Sequence, residues 1–228
     1  MKKLIMSGII ALVCGASSAS AEIINIDSYD NGWYDQTGYH QSPNRNIVVG
    51  YFLVQYRNWF AFDLSSLSGP VSSASITVRA NGSYITRDSS ETFQLNEFSG
   101  DVTALAAGGT GLTSMFDDLG DGDNYGSYEY FGTSGSPMDQ FSIDLSMAAL
   151  DDINAAILGD GLFALGGSLA SLSGQTGATE AIFTASNVHS AAFLTIEFGE
   201  VVDTPEPAVL GLLGLGLAGF GLARRRRS

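Results

Sequence analysis

The sequence predicts an all-β fold, an antiparallel sandwich of two sheets with one short helix. Apolar and polar residues alternate over many short segments, which is the period of half-buried strands. Turns that are rich in glycine, serine and asparagine separate these segments at the spacing usual in sandwiches. Residues 22–203 contain no proline-rich or charged linker, so we expect them to form one domain.

Strands are expected at ten places in this domain. In order, they cover residues 22–28, 47–51, 59–64, 76–78, 93–95, 125–131, 141–145, 161–165, 181–185 and 194–198. The alternation predicts one core shared by Phe60, Phe62, Ile76, Val78, Phe141, Ile143, Leu194 and Ile196. Asn58 and Thr77 are expected to lie outside that core. Trp59 falls on the opposite face, either as a ring buried under a loop or as an exposed platform for a sugar.

One segment departs from the strand period and predicts the helix. Apolar residues recur at helical spacing between Met147 and Leu158, Ser146 can cap the first turn, and Gly159 stands where a helix would end. A second short helix, or only a turn, is expected at residues 102–106.

The N-terminus has the pattern of a signal peptide. A cationic start precedes an apolar stretch over residues 4–13, and the small residues Ala19 and Ala21 predict cleavage after Ala21. Cys14 raises the alternative of a lipoprotein, but Val13 stands where lipidation requires a small residue. The mature chain then contains no cysteine, so disulfides and thiolate metal sites cannot stabilise it.

The C-terminus combines three features in order: Pro205, Glu206 and Pro207, an apolar segment over residues 208–223, and Arg224, Arg225, Arg226 and Arg227. As a transmembrane helix the segment would be about 24 Å long, which is short for a bilayer span but feasible when the arginines reach the headgroups. The arginines are expected to stay cytoplasmic, which places the domain on the other side of the membrane.

These features resemble the PEP-CTERM sorting signal, which bacteria combine with a secretory signal peptide. The resemblance implies export by the general secretion machinery and a transient single-pass precursor in the inner membrane. It also implies recognition near residues 205–207 by an exosortase, a membrane-embedded cysteine transpeptidase, followed by release or transfer to the cell surface. A permanent C-terminal anchor is the alternative.

The middle of the chain has a second, looser resemblance. Residues 57–65 and 73–78 resemble a strand, turn and strand of secreted jelly-roll domains that are related to carbohydrate-binding modules. This resemblance implies a jelly-roll-like sandwich and carries no catalytic signature.

The charge of residues 22–203 excludes some classes of partner. Four arginines, no lysine and 23 acidic residues give a net charge of −19, so nucleic acid and anionic lipid are unsuitable partners, whereas cations are suitable. Carboxylates are densest in a glycine-rich segment with Asp117, Asp118, Asp121, Asp123 and Glu129. Such a segment can supply oxygen ligands to calcium. The alternatives are a solvated acidic turn, or a calcium site at Asp27 and Asp30.

Aromatic residues give a second binding hypothesis. A loop rich in glycine, asparagine and aspartate contains Trp33, Tyr34 and Tyr39, and Tyr125 and Tyr128 lie beside the acidic segment. Exposed rings at these places would stack on the faces of sugars, because they combine a large apolar area with a polar group. Alternatively, the rings cover the ends of the sandwich.

The sequence contains no catalytic motif that we recognise. His40 and His189 lack the spacing of metal ligands, and no Gly-x-Ser-x-Gly sequence precedes a helix. We therefore expect a non-enzymatic protein of the cell surface or the extracellular matrix, with a structural or adhesive role and exopolysaccharide as a partner. A carbohydrate-binding module on the same sandwich and a secreted hydrolase are the alternatives.

Overall fold

The computed structural model describes residues 22–79, 82, 83, 85, 86, 88–172, 179–183 and 190–199. One compact unit runs from Glu22 to Gly199. Its strands within the described residues are β1 (Ile23–Asp27), β2 (Asp30–Asp35), β3 (Val49–Phe52), β4 (Val54–Asp63), β5 (Val71–Val78), β6 (Ser90–Glu97), β7 (Asn124–Phe131), β8 (Phe141–Asp144), β9 (Leu162–Leu169), β10 (Glu180–Ile182) and β11 (Ala192–Phe198). The helices there are α1 (Val102–Ala107), α2 (Thr113–Asp118) and α3 (Met147–Leu158).

The strands form two antiparallel sheets. The first has the order β1-β11-β5-β8, and the second has the order β10-β3-β4-β9-β6-β7, with β2 paired to β4 in addition. When β2, β3 and β10 are set aside, the other eight strands, counted along the chain, lie in the orders 1-8-3-6 and 2-7-4-5. This is the strand order of a jelly roll, so the predicted two-sheet sandwich is confirmed.

Side chains from both sheets form one large apolar core. All eight residues that the alternation assigns to the core belong to it, and each is at most 6 % exposed. Rings pack against each other inside it, as when Phe62 stacks on Phe163 with their centroids 6.5 Å apart. The period of two was therefore sufficient to identify these positions.

Asn58 corrects the prediction at one end of this core. It is fully buried and lies on the same face of β4 as Phe60, because the two residues are two positions apart along the strand. Its amide nitrogen donates a 2.8 Å hydrogen bond to the carbonyl oxygen of Ile47, which offsets part of the cost of burying the amide, while its side-chain oxygen has no partner among the described residues. Thr77 does lie outside the core, where its hydroxyl shares a 2.8 Å hydrogen bond with the hydroxyl of Ser142.

A second apolar cluster lies on the other face of the larger sheet, beneath α1 and α2. Its members are Tyr34, Trp59, Ala61, Phe98, Leu105, Phe116, Leu119 and Ala164. Trp59 is fully buried there, between the sheet and the segments that follow β6. Of the two alternatives for this residue, the buried ring is confirmed and the exposed platform is wrong.

Strand β2 also corrects the prediction, which places Trp33 and Tyr34 in a loop. Glycine, asparagine and aspartate are unfavourable in strands, and all three occur between Asp30 and Asp35. The strand forms because all six of these residues pair antiparallel with β4. Backbone pairing and the burial of two large rings outweigh the local propensity.

The long helix is confirmed within the predicted bounds. The hydroxyl of Ser146 accepts a hydrogen bond from the backbone amide of Ala149, and Gly159 ends the helix. At residues 102–107 the chain forms a helix rather than a turn, which Asp101 caps through the amide of Ala104. α2 is an additional helix that the sequence analysis does not predict.

Candidate functional sites

The acidic segment begins on α2, whose last turn contains Asp117 and Asp118. The carboxylate of Asp118 accepts two hydrogen bonds from Ser99, one from its hydroxyl at 2.9 Å and one from its backbone amide at 3.2 Å. Asp117, Asp118 and Asp121 line one wall of a shallow cavity of about 440 Å³. Asp118 therefore has a structural role, since it holds α2 to the chain after β6.

Arg57 reaches the same helix from β4. Its guanidinium donates two 2.8 Å hydrogen bonds, to the carbonyl oxygens of Phe116 and Asp117, and so satisfies two carbonyls at the C-terminus of α2. Burial lowers the pKa of Arg57, and the carboxylates of Asp117 and Asp121 oppose that shift. A Cβ at Gly120 would come within 2.3 Å of the guanidinium, so a larger residue there would displace Arg57 from this position.

The structure does not bring the five predicted calcium ligands together. Glu129 lies on β7, where its carboxylate accepts a 2.8 Å hydrogen bond from the hydroxyl of Ser90. Within the described part of the chain, no three carboxylates of the acidic segment lie within 4.8 Å of one another. The segment thus corresponds to the alternative of a solvated acidic turn. The reason is that Asp117 and Asp118 belong to the last turn of α2, whereas Glu129 lies on β7.

The alternative calcium position, at Asp27 and Asp30, contains two ion pairs. Asp27 pairs with Arg79 at 2.5 Å, and Asp30 pairs with Arg45 at 3.4 Å. Each carboxylate is therefore already neutralised by an arginine of the same domain. Both pairs are accessible to solvent and contribute little stability.

A carboxylate cluster that the sequence analysis missed lies elsewhere. Asp88, Glu91 and Glu180 each place a carboxylate oxygen within 4.8 Å of the other two, and both glutamates are almost fully buried. The two oxygens of Glu91 accept 2.5 Å hydrogen bonds from the hydroxyls of Thr86 and Ser171. No spacing in the sequence indicates this cluster, because 89 positions separate Glu91 from Glu180.

The rings predicted to be sugar platforms are mostly buried. Tyr34 is fully buried, Tyr125 is 1 % exposed and Trp33 is 8 % exposed, so the expectation that they face solvent is wrong. Tyr125 packs on Phe163 and donates a short hydrogen bond to the carboxylate of Asp152 on α3. These three rings fit the alternative in which aromatic residues close the sandwich.

The remaining two predicted rings are more accessible. Tyr39 is 38 % exposed, and its ring meets that of Trp33 edge to face with centroids 5.9 Å apart. Tyr128 is half-buried and stacks on Phe141 at 4.2 Å. Neither ring is free on both faces, because each is in contact with a neighbouring ring.

His40 is enclosed by aromatic rings. Its centroid lies 5.0 to 5.9 Å from those of Trp33, Tyr34 and Trp59, and the residue is 3 % exposed. Burial lowers the pKa of His40, while the carboxylate of Asp30 and a backbone hydrogen bond with Trp33 act in the opposite direction. The neutral imidazole therefore packs against the rings of Trp33 and Tyr34 on β2 and of Trp59 on β4.

Several predicted residues lie outside the described part of the chain. These are His189, the signal-peptide residues Ala19 and Ala21, and the C-terminal residues Pro205, Glu206, Pro207, Arg224, Arg225, Arg226 and Arg227. Among the residues that the structure does describe, no helix has both the length and the apolar character needed to cross a membrane. The predicted spanning segment at 208–223 belongs to the undescribed C-terminus.

Comparison with known proteins identifies the C-terminus. Residues 203–227 match the PEP-CTERM protein-sorting motif. No curated protein matches the chain. The motif implies export, a precursor anchored in the membrane at its C-terminus, and recognition by an exosortase. The β-rich central domain is consistent with this finding, so the chain resembles PEP-CTERM proteins in carrying their sorting motif at its C-terminus.

Proposed function

We propose that the mature protein is a non-enzymatic component of the cell surface or the extracellular matrix, with a structural or adhesive role. The observation that carries this proposal is the PEP-CTERM motif at residues 203–227, which follows directly after a compact secreted-type sandwich. A signal peptide ending at Ala21 would complete the export route.

Features of the domain support a structural role. The sandwich contains no cysteine, so its stability depends on an apolar core that extends through both sheets. Several of the carboxylates described above hold hydrogen bonds or ion pairs within the fold, namely those of Asp27, Asp30, Glu91, Asp118 and Glu129. His40 is enclosed by rings and is not placed to exchange protons with a substrate in solution. A hydrolase would instead require carboxylates or a histidine that converge at a site open to a substrate.

Fractionation of the cells that make the protein tests the proposal. We expect the mature chain in the surface or matrix fraction, with an intact mass that lacks residues 224–227. Replacing Pro205, Glu206 and Pro207 together by alanine should leave the chain in the membrane fraction. The same replacement of the three residues at 200–202, just before the motif, is the control for a general effect of the change.

Two results would count against the proposal. Recovery of the complete C-terminus from the surface fraction would show a permanent anchor. A mature protein found free in the periplasm, and absent from both the surface and the matrix, would exclude the structural role at those places.

A further inference from the structure

A cavity of about 230 Å³ lies where β2, β3 and β4 meet the segment 41–48. Six side chains line it: Trp33, Asn44, Asn46, Val48, Phe52 and Tyr56. Three of the six are aromatic, two are amides and none is charged. The acidic residues that give the domain its negative charge are absent from its lining within the described residues.

Two of the rings form a corner. Trp33 pairs with Asn58 across β2 and β4, and Tyr56 lies two residues from Asn58, so Trp33 and Tyr56 share one face of the sheet. Their centroids are 5.3 Å apart and their planes meet at 79°. Phe52, which is 47 % exposed at the end of β3, adds an accessible ring at the opening.

The opposite wall is fixed to the sheet by two buried asparagines. The side-chain amide of Asn31 donates a 2.9 Å hydrogen bond to the carbonyl oxygen of Arg45, and that of Asn58 donates one of 2.8 Å to Ile47. These two bonds hold the backbone at Arg45 and Ile47. Asn46, which lies between them, and Asn44, which precedes them, line the cavity. The backbone that carries these two amides is thus held in place, which lowers the entropic cost of binding a ligand.

Two polar atoms in the lining residues have no hydrogen-bond partner among the described residues. They are the indole nitrogen of Trp33, which can only donate, and the side-chain oxygen of Asn46, which can only accept. Both atoms have an accessible area below 1 Å², so a ligand in the cavity gains these two hydrogen bonds when the side chains rotate towards it, and it then supplies the partners that buried polar groups normally have. A hydroxyl group can accept from the indole and donate to the amide oxygen.

From these observations, we propose that the cavity binds one ring of a neutral polysaccharide. The hydroxyls of such a ring match the unpaired donor and acceptor, its apolar face matches the faces of Tyr56 and Phe52, and its neutrality matches the uncharged lining. The domain charge of −19 further disfavours an anionic polymer. This inference deepens the proposed matrix function, on which it rests, by naming the class of ligand and its site.

Isothermal titration calorimetry of the processed protein tests the site. The probes are neutral oligosaccharides of glucose, mannose and galactose, with an alginate oligosaccharide as the anionic comparison. We expect saturable binding of at least one neutral oligosaccharide and none of alginate. Tryptophan fluorescence provides a second readout. The chain has two tryptophans, and W59F removes one of them, so that Trp33 is the remaining tryptophan. The fluorescence of this variant should therefore change on binding.

Variants then locate the binding. Y56A and N46A should each weaken the affinity by about tenfold, because one removes an aromatic contact and the other an acceptor. F131A is the matched control, since Phe131 is a 68 % exposed ring outside the cavity. Thermal melting shows whether each variant remains folded, and F52S, which changes an accessible ring, provides a further test if Y56A does not fold.

Three results would overturn the proposal: no binding of the neutral probes, unchanged affinity in the folded cavity variants, or preferential binding of alginate. None of them bears on where the protein is located, which the fractionation decides separately. Conversely, if the protein binds a neutral oligosaccharide saturably but is absent from the matrix, the proposed binding site is supported and the proposed matrix function is contradicted.

Discussion

The hydroxyl of Tyr34 donates a 2.9 Å hydrogen bond to the carbonyl oxygen of Leu105, and so joins β2 to α1. Both residues are fully buried. The carbonyls of the last turn of a helix have no partner within the helix, and this bond satisfies one of them. Tyr34 lies on β2, a strand that the sequence does not predict. Its hydroxyl therefore completes the C-terminal end of α1, the helix that covers the second apolar cluster.

Removing this hydroxyl should destabilise the domain. We expect Y34F to lower the free energy of unfolding by ~1 to 3 kcal/mol, because it leaves the carbonyl of Leu105 buried without its partner. Urea unfolding measures the change. Y29F, at a 40 % exposed tyrosine, is the control and should have little effect. Equal losses in both variants would show that the hydrogen bond is not the cause.

The burial of Tyr34 also predicts that the domain loses stability at alkaline pH. Burial raises the pKa of Tyr34 to about 12, and burial and the carboxylate of Asp152 raise that of Tyr125. Above pH 10 the unfolded chain loses these protons before the folded chain does, so stability is complete below pH 10 and decreases as the pH rises towards 12. Melting curves at several pH values measure this, and the decrease should be smaller in Y34F.

His40 predicts a loss of stability in acid. Because burial lowers its pKa below the ordinary value of 6.5, the unfolded chain binds a proton more readily than the folded chain. Its contribution is therefore present above pH 6.5 and decreases as the pH falls towards the folded-state value. H40Q should show a smaller difference between urea unfolding at pH 7.5 and at pH 5. H189Q is the comparison, and an equal effect there would contradict the assignment to His40.

The core depends strongly on single rings. F62A should lower the free energy of unfolding by ~3 to 5 kcal/mol, a large part of the ~5 to 15 kcal/mol usual for a domain. Phe62 is fully buried and stacks on Phe163, and no disulfide compensates for its loss. F131A, at an exposed ring, should change stability by less than ~0.5 kcal/mol. A loss below ~1 kcal/mol in F62A would mean that the core tolerates the cavity.

At the acidic segment, calcium should act mainly by screening. Because no three carboxylates of the acidic segment converge among the described residues, we expect millimolar calcium and magnesium to raise the melting temperature by similar amounts. High salt should abolish both effects, since the net charge of the domain is then screened. A rise specific to calcium that D121N or D123N removes would contradict this and restore the predicted site.

The sequence by itself determined the features that depend on local order. The PEP-CTERM motif is a contiguous segment that can be recognised without a fold. The core positions on β4, β5, β8 and β11 follow from the period of two, because alternate side chains of a strand face opposite sides. The bounds of α3 follow from Ser146 and Gly159, which act on the adjacent backbone.

Tertiary structure decided what depends on contacts between distant segments. β2 exists because β4 supplies hydrogen-bond partners to residues that disfavour strands, and Asn58 is buried because Ile47 accepts its hydrogen bond. The grouping of Glu91 with Glu180, the burial of Tyr34 and Tyr125, and the cavity beside Trp33 also arise from packing between segments. Local propensity and alternation contain no information about these pairings, because the free energy that selects them is gained only when the sheets come together.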